Sequence, residues 1–248
     1  MKGLIRAFFM CYSMFTALPC PYRPWDEAAR ENMLLCLPLV GLLIGGLWSL
    51  ASLLSMRWLP AVCAAVIVAF PWLATGFIHL DGYMDTCDAI LSWRPLEKRL
   101  QILKDTHSGA FSVIALAVLA LFGYDAAAHL SGYAFIRVLV LIPAVSRCGS
   151  AFSMLALRPL GHSEYAGMDR RIAKVWPIIA MWLILMAAGF FWLDRYVLVL
   201  LAESIAYAIS ITWACRVMKG VSGDLAGFAL TISECTALVT LSHMGFSG

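Results

Sequence analysis

The sequence contains few charged residues, since only 13% of its 248 residues are Asp, Glu, Lys or Arg. A soluble domain has about a quarter. Hydrophobic residues make up 62% of the chain, and the mean hydropathy is +0.84. The formal net charge of +3 excludes a large basic surface, so no nucleic-acid partner is expected. The composition predicts a protein embedded in a lipid bilayer.

The sequence also lacks paired cysteines. Its eight cysteines are scattered, mostly within apolar runs, and no Cys-x-x-Cys pair occurs. This distribution argues against a zinc site and is typical of reduced, buried thiols. Low-complexity tracts and internal repeats are missing too, so residues 1–248 are predicted to form a single membrane domain.

Long apolar runs make up most of the sequence. Lipid permits only helices or closed barrels, and these runs are too long and too uniformly apolar for barrel strands. The predicted fold is therefore an all-α, polytopic bundle of about seven spans. An N-terminal interfacial helix is expected within residues 1–32. The predicted spans lie near 33–55, 60–80, 108–123, 133–157, 175–193, 196–217 and 225–243.

Basic residues indicate the orientation of these spans. They concentrate before the first run and after the second, fourth and sixth runs, which fall on one side if seven spans alternate. Lys and Arg are enriched in cytoplasmic connections. The N-terminus is therefore predicted to be cytoplasmic and the C-terminus external. The other side has only Arg57 and Arg195.

Three aspartates, Asp81, Asp85 and Asp88, stand where the second apolar run ends. On a helix their spacings of four and three place them on one face, where like charges repel. A bound divalent cation would relieve this repulsion. Mg²⁺ prefers oxygen ligands and often takes others from substrate phosphates, so the cluster predicts magnesium and phosphate chemistry. The alternative is a solvated helix start, where Asp is common.

Residues 81–108 are therefore predicted to be a cytoplasmic catalytic connection. Within it, 94–105 has leucines at helical spacing between basic residues, which favours an interfacial amphipathic helix. Some of these cations could face substrate phosphates. Asp105 could be a further ligand, a general base or an N-cap of the next helix.

A second polar element, Ser222-Gly223-Asp224, precedes the last apolar run. Glycine lets a backbone approach a ligand closely, and a helix N-terminus offers unpaired N–H groups to phosphate. An ordinary turn with an Asp cap explains the same pattern.

Charged residues also occur inside the spans. Arg147 and Glu234 are predicted at similar depths, roughly 15 Å and 14 Å from the same surface, and Glu203 is deeper. The matched depths allow a structural ion pair. Alternatively, Arg147 reaches a substrate phosphate from within the bundle.

The stretch from Thr75 to Asp88 resembles the signature of the cobalamin synthase family, the adenosylcobinamide-GDP ribazoletransferases. It reads Thr-Gly-Phe-Ile-His-Leu-Asp-Gly-Tyr-Met-Asp-Thr-Cys-Asp. Other elements resemble family motifs in the same order, across nearly the whole chain. They are Pro38-Leu39-Val40-Gly41, Lys104-Asp105 with Gly109, Ser146-Arg147, and Ser222-Gly223-Asp224 with Gly227 and Glu234.

The chain departs from the family pattern at several positions. Ala17 stands where the family commonly has Arg, and Thr106-His107-Ser108 replaces a stretch that usually carries Ser-Arg. Residues 157–168 lack a clean Gly-Leu-Gly element, and Thr231 stands where some members carry Glu. These differences concern contacts with the substrate and leave the aspartates unchanged.

The resemblance implies a late step of vitamin B12 synthesis at the cytoplasmic face of a bacterial or archaeal inner membrane. The substrates would be adenosylcobinamide-GDP and α-ribazole or its 5′-phosphate, with GMP released and Mg²⁺ required. Other corrinoid-pathway enzymes or a second copy of the chain could be partners. The implied catalytic residues are Asp85, Asp105 and Arg147. The implied metal ligands are Asp81, Asp85, Asp88 and Asp224. The implied phosphate-binding residues are Lys104, Ser146, Ser222 and Gly223.

Three other interpretations remain open. A CDP-alcohol phosphotransferase also uses several aspartates at a membrane surface, but its pattern is longer than the one found here. An isoprenoid transferase usually has two separate Asp-rich motifs. A transporter could place Arg147, Glu203 and Glu234 along a path, although inverted halves are not evident.

Overall fold

A computed structural model describes residues 2–23, 25–160 and 172–245, and within these ranges the chain is helical with no strand. This confirms the all-α class. Residues 161–171, which include most of the segment without a Gly-Leu-Gly element, lie outside the described part. The helices are α1 Lys2–Phe15, α2 Glu27–Arg30, α3 Met33–Ser55, α4 Pro60–Ala74, α5 Ile78–Leu91, α6 Leu96–Ile102, α7 Ala110–Ala128, α8 Ala134–Ala156, α9 Val175–Leu193, α10 Val197–Met218 and α11 Gly223–Gly245.

The number of membrane crossings depends on two pairs of helices. Five stretches of the described residues are long and apolar enough to span a bilayer, and a sixth arises if α4 and α5 form one bent span. One of the five, Val175–Met218, contains both α9 and α10. Trp182 Nε1 in α9 donates to Ser204 Oγ in α10 at 3.0 Å, although 22 residues separate them. A straight helix would hold them about 33 Å apart. The two helices therefore fold back on each other, and counting them separately gives six or seven crossings, against a prediction of about seven.

The predicted span 60–80 is broken rather than continuous. Gly76 and Phe77 both have positive φ, 59° and 63°, and the amide of Phe77 donates to Trp72 O at 2.9 Å. A left-handed residue after the last helical turn is a common way to end a helix. The chain then restarts as α5, which lies at 91° to α4. The apolar pattern does not change at this point, which is why the sequence predicts one run here.

The centre of the bundle is a close crossing of α3 and α8. Gly41 and Gly45 face this crossing, and an added Cβ would meet the backbone of α8 at Pro143 and Val140. Helices approach this closely only where the residues between them are small. Trp48 follows on α3, is fully buried, and donates its indole N–H to Ile67 O of α4 at 2.8 Å.

We expect Gly45→Ala to destabilise the protein by about 1–3 kcal/mol, because the new methyl group would overlap α8 backbone. The free energy of unfolding in detergent measures the effect. Gly46→Ala is the matched control, since a Cβ at Gly46 meets nothing within 4 Å. Equal stability of the two variants would contradict this packing.

Several connections meet at one end of the bundle. Lys174 Nζ, before α9, donates to the backbone oxygen and the carboxylate of Glu31, at 2.9 and 3.3 Å. Leu160, after α8, donates its amide to Val221 O at 2.8 Å, and Val221 donates back to Arg158 O at 2.8 Å. The N-terminal segment and the connections after α8 and α10 therefore share one end, as the distribution of basic residues predicts.

The N-terminal helix α1 packs one face on this bundle. Ala7, Met10 and Cys11 are buried, whereas Leu4 and Ile5 are more than half exposed. Exposed apolar side chains beside a buried face are typical of a helix at a membrane interface. The predicted interfacial helix of residues 1–32 corresponds to α1.

Candidate active site

Glycines bring α5 and the start of α11 into contact. A Cβ at Gly82 would lie 2.8 Å from the Cα of Asp224, and one at Gly227 would lie 3.1 Å from His79 O. Thr231 Oγ1 also donates to His79 O at 3.2 Å. This close approach places Asp224 beside the carboxylates of α5.

Asp85 is at the centre of the resulting carboxylate cluster, which we define as Asp81, Asp85, Asp88 and Asp224. Asp81 is exposed, Asp85 half-buried and Asp88 buried. The negative charges of Asp81, Asp224 and Asp88 all act on Asp85. Four carboxylates from two helices thus repel one another at one end of the bundle, where a cation would stabilise them.

Asp88 has a second role that its spacing does not reveal. Its two carboxylate oxygens accept hydrogen bonds from the backbone amides of Gly109 at 2.6 Å and Ser112 at 2.9 Å. These amides belong to the N-terminus of α7, where backbone N–H groups lack helical partners. Asp88 therefore anchors α7 to α5, and part of its capacity as a ligand is already used.

The cluster fits magnesium in one particular way. Among the described residues, no three His, Cys, Asp or Glu side chains are close enough together to form a ready-made metal site. A cage of three carboxylates around one ion is thus not preformed. Mg²⁺ is commonly held by one or two carboxylates, with waters and substrate phosphates completing its shell. One or two of Asp81, Asp85 and Asp224 would fit that smaller role.

Asp105 and Lys104 lie in the exposed segment between α6 and α7. Asp105 accepts hydrogen bonds from the imidazole Nδ1 of His107 at 2.8 Å and from its backbone amide at 3.0 Å. The side-chain hydrogen bond, followed by the backbone one, lowers the pKa of Asp105. A lowered pKa makes a carboxylate a weaker base. His107, which departs from the family pattern, is thus the partner of Asp105.

Ser222 caps α11. Its Oγ accepts from the amide of Leu225 at 3.3 Å and donates to Asp224 Oδ2 at 3.3 Å. The cap is therefore Ser222, whereas the turn interpretation of the sequence assigned it to Asp224. Gly223 follows at the exposed first position of the helix. Ser222 and Gly223 therefore lie next to the carboxylate cluster. This position is consistent with the phosphate-binding role predicted for them.

Arg147 and Ser146 are buried inside the bundle instead. Arg147 is fully buried, and its Nη1 donates to Glu234 Oε1 at 2.9 Å and to Pro143 O at 3.0 Å. Ser146 Oγ donates to the same Glu234 oxygen at 2.9 Å. The matched depths in the sequence therefore do correspond to an ion pair. The structure does not bring these two side chains together with the aspartates.

Two buried residues near Arg147 were not among the catalytic, metal-binding or phosphate-binding residues predicted from the sequence. Arg147 acts electrostatically on His79, which stacks on Phe15 with ring centroids 6.0 Å apart. It also acts on Glu203, which is fully buried on α10. Within the described part of the chain, no hydrogen-bond partner is found for His79 Nε2, for Arg147 Nε and Nη2, or for either carboxyl oxygen of Glu203. The sequence signal for Glu203 was its charge at mid-span.

Comparisons with known proteins agree with one another. A model of the family described as cobalamin-5-phosphate synthase matches residues 7–242. A Clostridium perfringens strain 13 protein is 36% identical, with 97% of this chain and 99% of that protein covered. A Clostridium botulinum strain Alaska E43 protein is 34% identical, with 96% of this chain and 97% of that protein covered. A Brevibacillus brevis protein is 31% identical, with 96% of this chain and 98% of that protein covered. All three are named adenosylcobinamide-GDP ribazoletransferase. No solved structure matches the chain.

Proposed function

Because the chain belongs to the cobalamin-5-phosphate synthase family and is a transferase, we propose that it joins adenosylcobinamide-GDP to α-ribazole or its 5′-phosphate. The products are GMP and adenosylcobalamin or its 5′-phosphate. The relatives' name supplies the donor and the ribazole acceptor.

The observation that supports a site for this reaction is the convergence of Asp81, Asp85 and Asp224 where α5 meets α11. A diphosphate donor brings negative charge that carboxylates alone would repel. We propose that these aspartates hold one or two Mg²⁺ ions. When bound, magnesium would neutralise phosphate charge and stabilise the departing GMP.

The transfer is a displacement at phosphorus. The ribose 3′-hydroxyl oxygen of the acceptor forms a bond to the phosphorus on the aminopropanol arm of the donor. The bond from that phosphorus to the bridging oxygen breaks, and the oxygen leaves with GMP, taking the electron pair. The hydroxyl proton passes to a carboxylate and then to water.

Asp85 is the better of the two candidate bases. It is half-buried among other carboxylates, whereas Asp105 is exposed and hydrogen-bonded to His107. The lowered pKa of Asp105 reduces its ability to take the proton. Lys104, next to Asp105, is exposed at the surface of the bundle and would bind phosphate oxygens.

The orientation follows from the same arrangement. The cluster lies at the end of the bundle where the N-terminal segment and the basic connections meet. Because such connections favour the cytoplasm, the site would face the cytoplasm from the inner membrane, where nucleotide donors occur. Association with other corrinoid-pathway enzymes or with a second copy of the chain is compatible with this orientation.

Purified protein in detergent, given adenosylcobinamide-GDP, α-ribazole and Mg²⁺, is expected to release one GMP for each corrinoid product. Omission of the acceptor or removal of Mg²⁺ with EDTA should abolish the release, and added Mg²⁺ should restore it. Chromatography of the nucleotides and corrinoids measures both products.

CDP-alcohol donors serve as the control for the closest alternative reaction. Turnover of a CDP-alcohol, or transport of ribazole into vesicles without GMP release, would overturn the proposal. GMP release undiminished by EDTA would overturn the magnesium part alone.

A further inference from the structure

Asp88 joins α5 to α7, although α6 and its flanking segments separate the two helices along the chain. Its carboxylate oxygens accept from the backbone amides of Gly109 at 2.6 Å and Ser112 at 2.9 Å. Gly109 is the N-cap of α7 and, having no side chain, cannot cap the helix itself. Asp88 therefore supplies from α5 the cap that Ser, Thr or Asp at the N-cap position would supply within the helix.

The contact between Asp88 and α7 is so close that it excludes a side chain at residue 109. A Cβ at Gly109 would lie 2.6 Å from Asp88 Oδ1 and 3.0 Å from its Cγ. Ser112 Oγ also donates to Gly109 O at 2.7 Å, which closes the first turn of α7 beside the carboxylate. Because a helix N-terminus carries partial positive charge, it stabilises the negative charge of Asp88 without a cation.

Asp88 is poorly placed to bind magnesium as well. It is only 7% exposed, whereas Asp81 is exposed and Asp85 is half-buried. Mg²⁺ demands near-ideal octahedral geometry and keeps several waters, which need room around the ligand oxygens. Both oxygens of Asp88 already accept from α7, and turning them toward an ion would leave backbone N–H groups unpaired.

The N-terminus of α7 is one end of the connection that carries Lys104. The other end is held by a turn after α6, since the amide of Lys104 donates to Gln101 O at 3.2 Å. Gly109 follows Lys104 closely in the sequence, and even a fully extended chain between them would span at most about 18 Å. Asp88 therefore limits how far Lys104 can lie from the carboxylates of α5.

From these contacts we propose that Asp88 is a positioning residue, which holds the Lys104 connection beside the other carboxylates of the cluster and does not bind magnesium. This role differs from the ligand role that the family resemblance implies for Asp88. It rests on the proposed transferase function, in which Lys104 binds phosphate oxygens of the donor. Because Lys104 would bind the donor before as well as during the reaction, loss of the contact should raise the KM for the donor more than it lowers kcat.

Hydrogen exchange tests the contact in the absence of magnesium and donor. Asp88→Asn keeps the size of the side chain but places an NH₂ group against one of the two amides, so at least one hydrogen bond is lost. Exchange at the amides of Gly109 and Ser112 should accelerate at least tenfold, as resolved by fragmentation mass spectrometry of the full-length protein in detergent. Asp85→Asn is the matched control, since it removes a neighbouring charge on α5 and leaves Asp88 in place. It should leave these exchange rates unchanged.

The kinetics of GMP release test whether Asp88 acts through Lys104. Asp88→Asn should raise the KM for adenosylcobinamide-GDP at least tenfold. The Mg²⁺ concentration for half-maximal rate, measured at saturating donor, should stay within twofold of the wild-type value. In a Lys104→Gln background, Asp88→Asn should change the donor KM by less than twofold, because the group that Asp88 positions is already missing.

Gly109→Ala is the second variant, since it disturbs the same contact and removes no carboxylate. It should reproduce the rise in donor KM, and the double variant with Asp88→Asn should show no larger a rise than the worse single variant. Unchanged amide exchange in Asp88→Asn, a Mg²⁺ requirement raised more than twofold, or an unchanged donor KM in Gly109→Ala would overturn the positioning role. A wild type that releases no GMP would overturn the proposed function, whereas these contrary results in an active wild type would overturn the role of Asp88 alone.

Discussion

Asp85→Asn is expected to lower the rate of GMP release by about 10²- to 10⁴-fold. The substitution keeps the size of the side chain and removes the charge at the centre of the carboxylate cluster. It would take away both a proposed magnesium ligand and the better candidate base. The loss should appear mainly in kcat at saturating donor and acceptor, since the acceptor hydroxyl would no longer lose its proton to Asp85.

GMP release by the purified variant, with its thermal unfolding midpoint, measures this effect. Asp125→Asn is the matched control, because Asp125 is an exposed aspartate near the other end of α7 and faces His129. It should retain wild-type activity. An Asp85→Asn protein that folds normally and turns over at a near-normal rate would contradict the role given to Asp85.

Arg147→Met is expected to destabilise the protein by about 3–5 kcal/mol, because it leaves the carboxylate of Glu234 buried and unpaired. Ser146 would still donate to Glu234, but a neutral hydroxyl does not replace a guanidinium. The double variant Arg147→Met/Glu234→Met should recover most of this stability, since it removes both charges from the bundle interior. Denaturant unfolding in detergent gives the three free energies.

Arg137→Met on the same helix serves as the control, because Arg137 is exposed and its Nη1 donates to Trp192 O at 3.5 Å. Its stability should be close to that of the wild type. If Arg147→Met is as stable as the wild type, the buried Arg147–Glu234 pair does not contribute to the free energy of unfolding as described.

Helices with uniform apolar runs were predictable from the sequence. The predicted segment 33–55 coincides with α3, Met33–Ser55, and the fifth segment coincides with α9, Val175–Leu193. Such runs have one solution in a bilayer, a helix that satisfies its own backbone. The break at Gly76–Phe77 was not predicted, because apolar residues continue through it and the bend depends on two positive φ values.

The site was predictable in composition but not in arrangement. The resemblance to the family motifs predicted that Asp224 belongs to the same site as the α5 aspartates. The close approach of Gly82 to Asp224 agrees with this prediction. The capping of α7 by Asp88 depends on where α7 begins in space, which helical spacing cannot show. A cavity beside Glu203 arises from the packing of α8, α9 and α10, so the sequence reveals only a charge inside a span.

A cryo-EM structure of the wild-type protein with Mg²⁺ and adenosylcobinamide-GDP tests the central claim most directly. We expect the diphosphate and its metal between α5 and the start of α11, with Asp81, Asp85 or Asp224 among the ligands. A diphosphate bound elsewhere, with these aspartates far from metal and phosphate, would contradict the account.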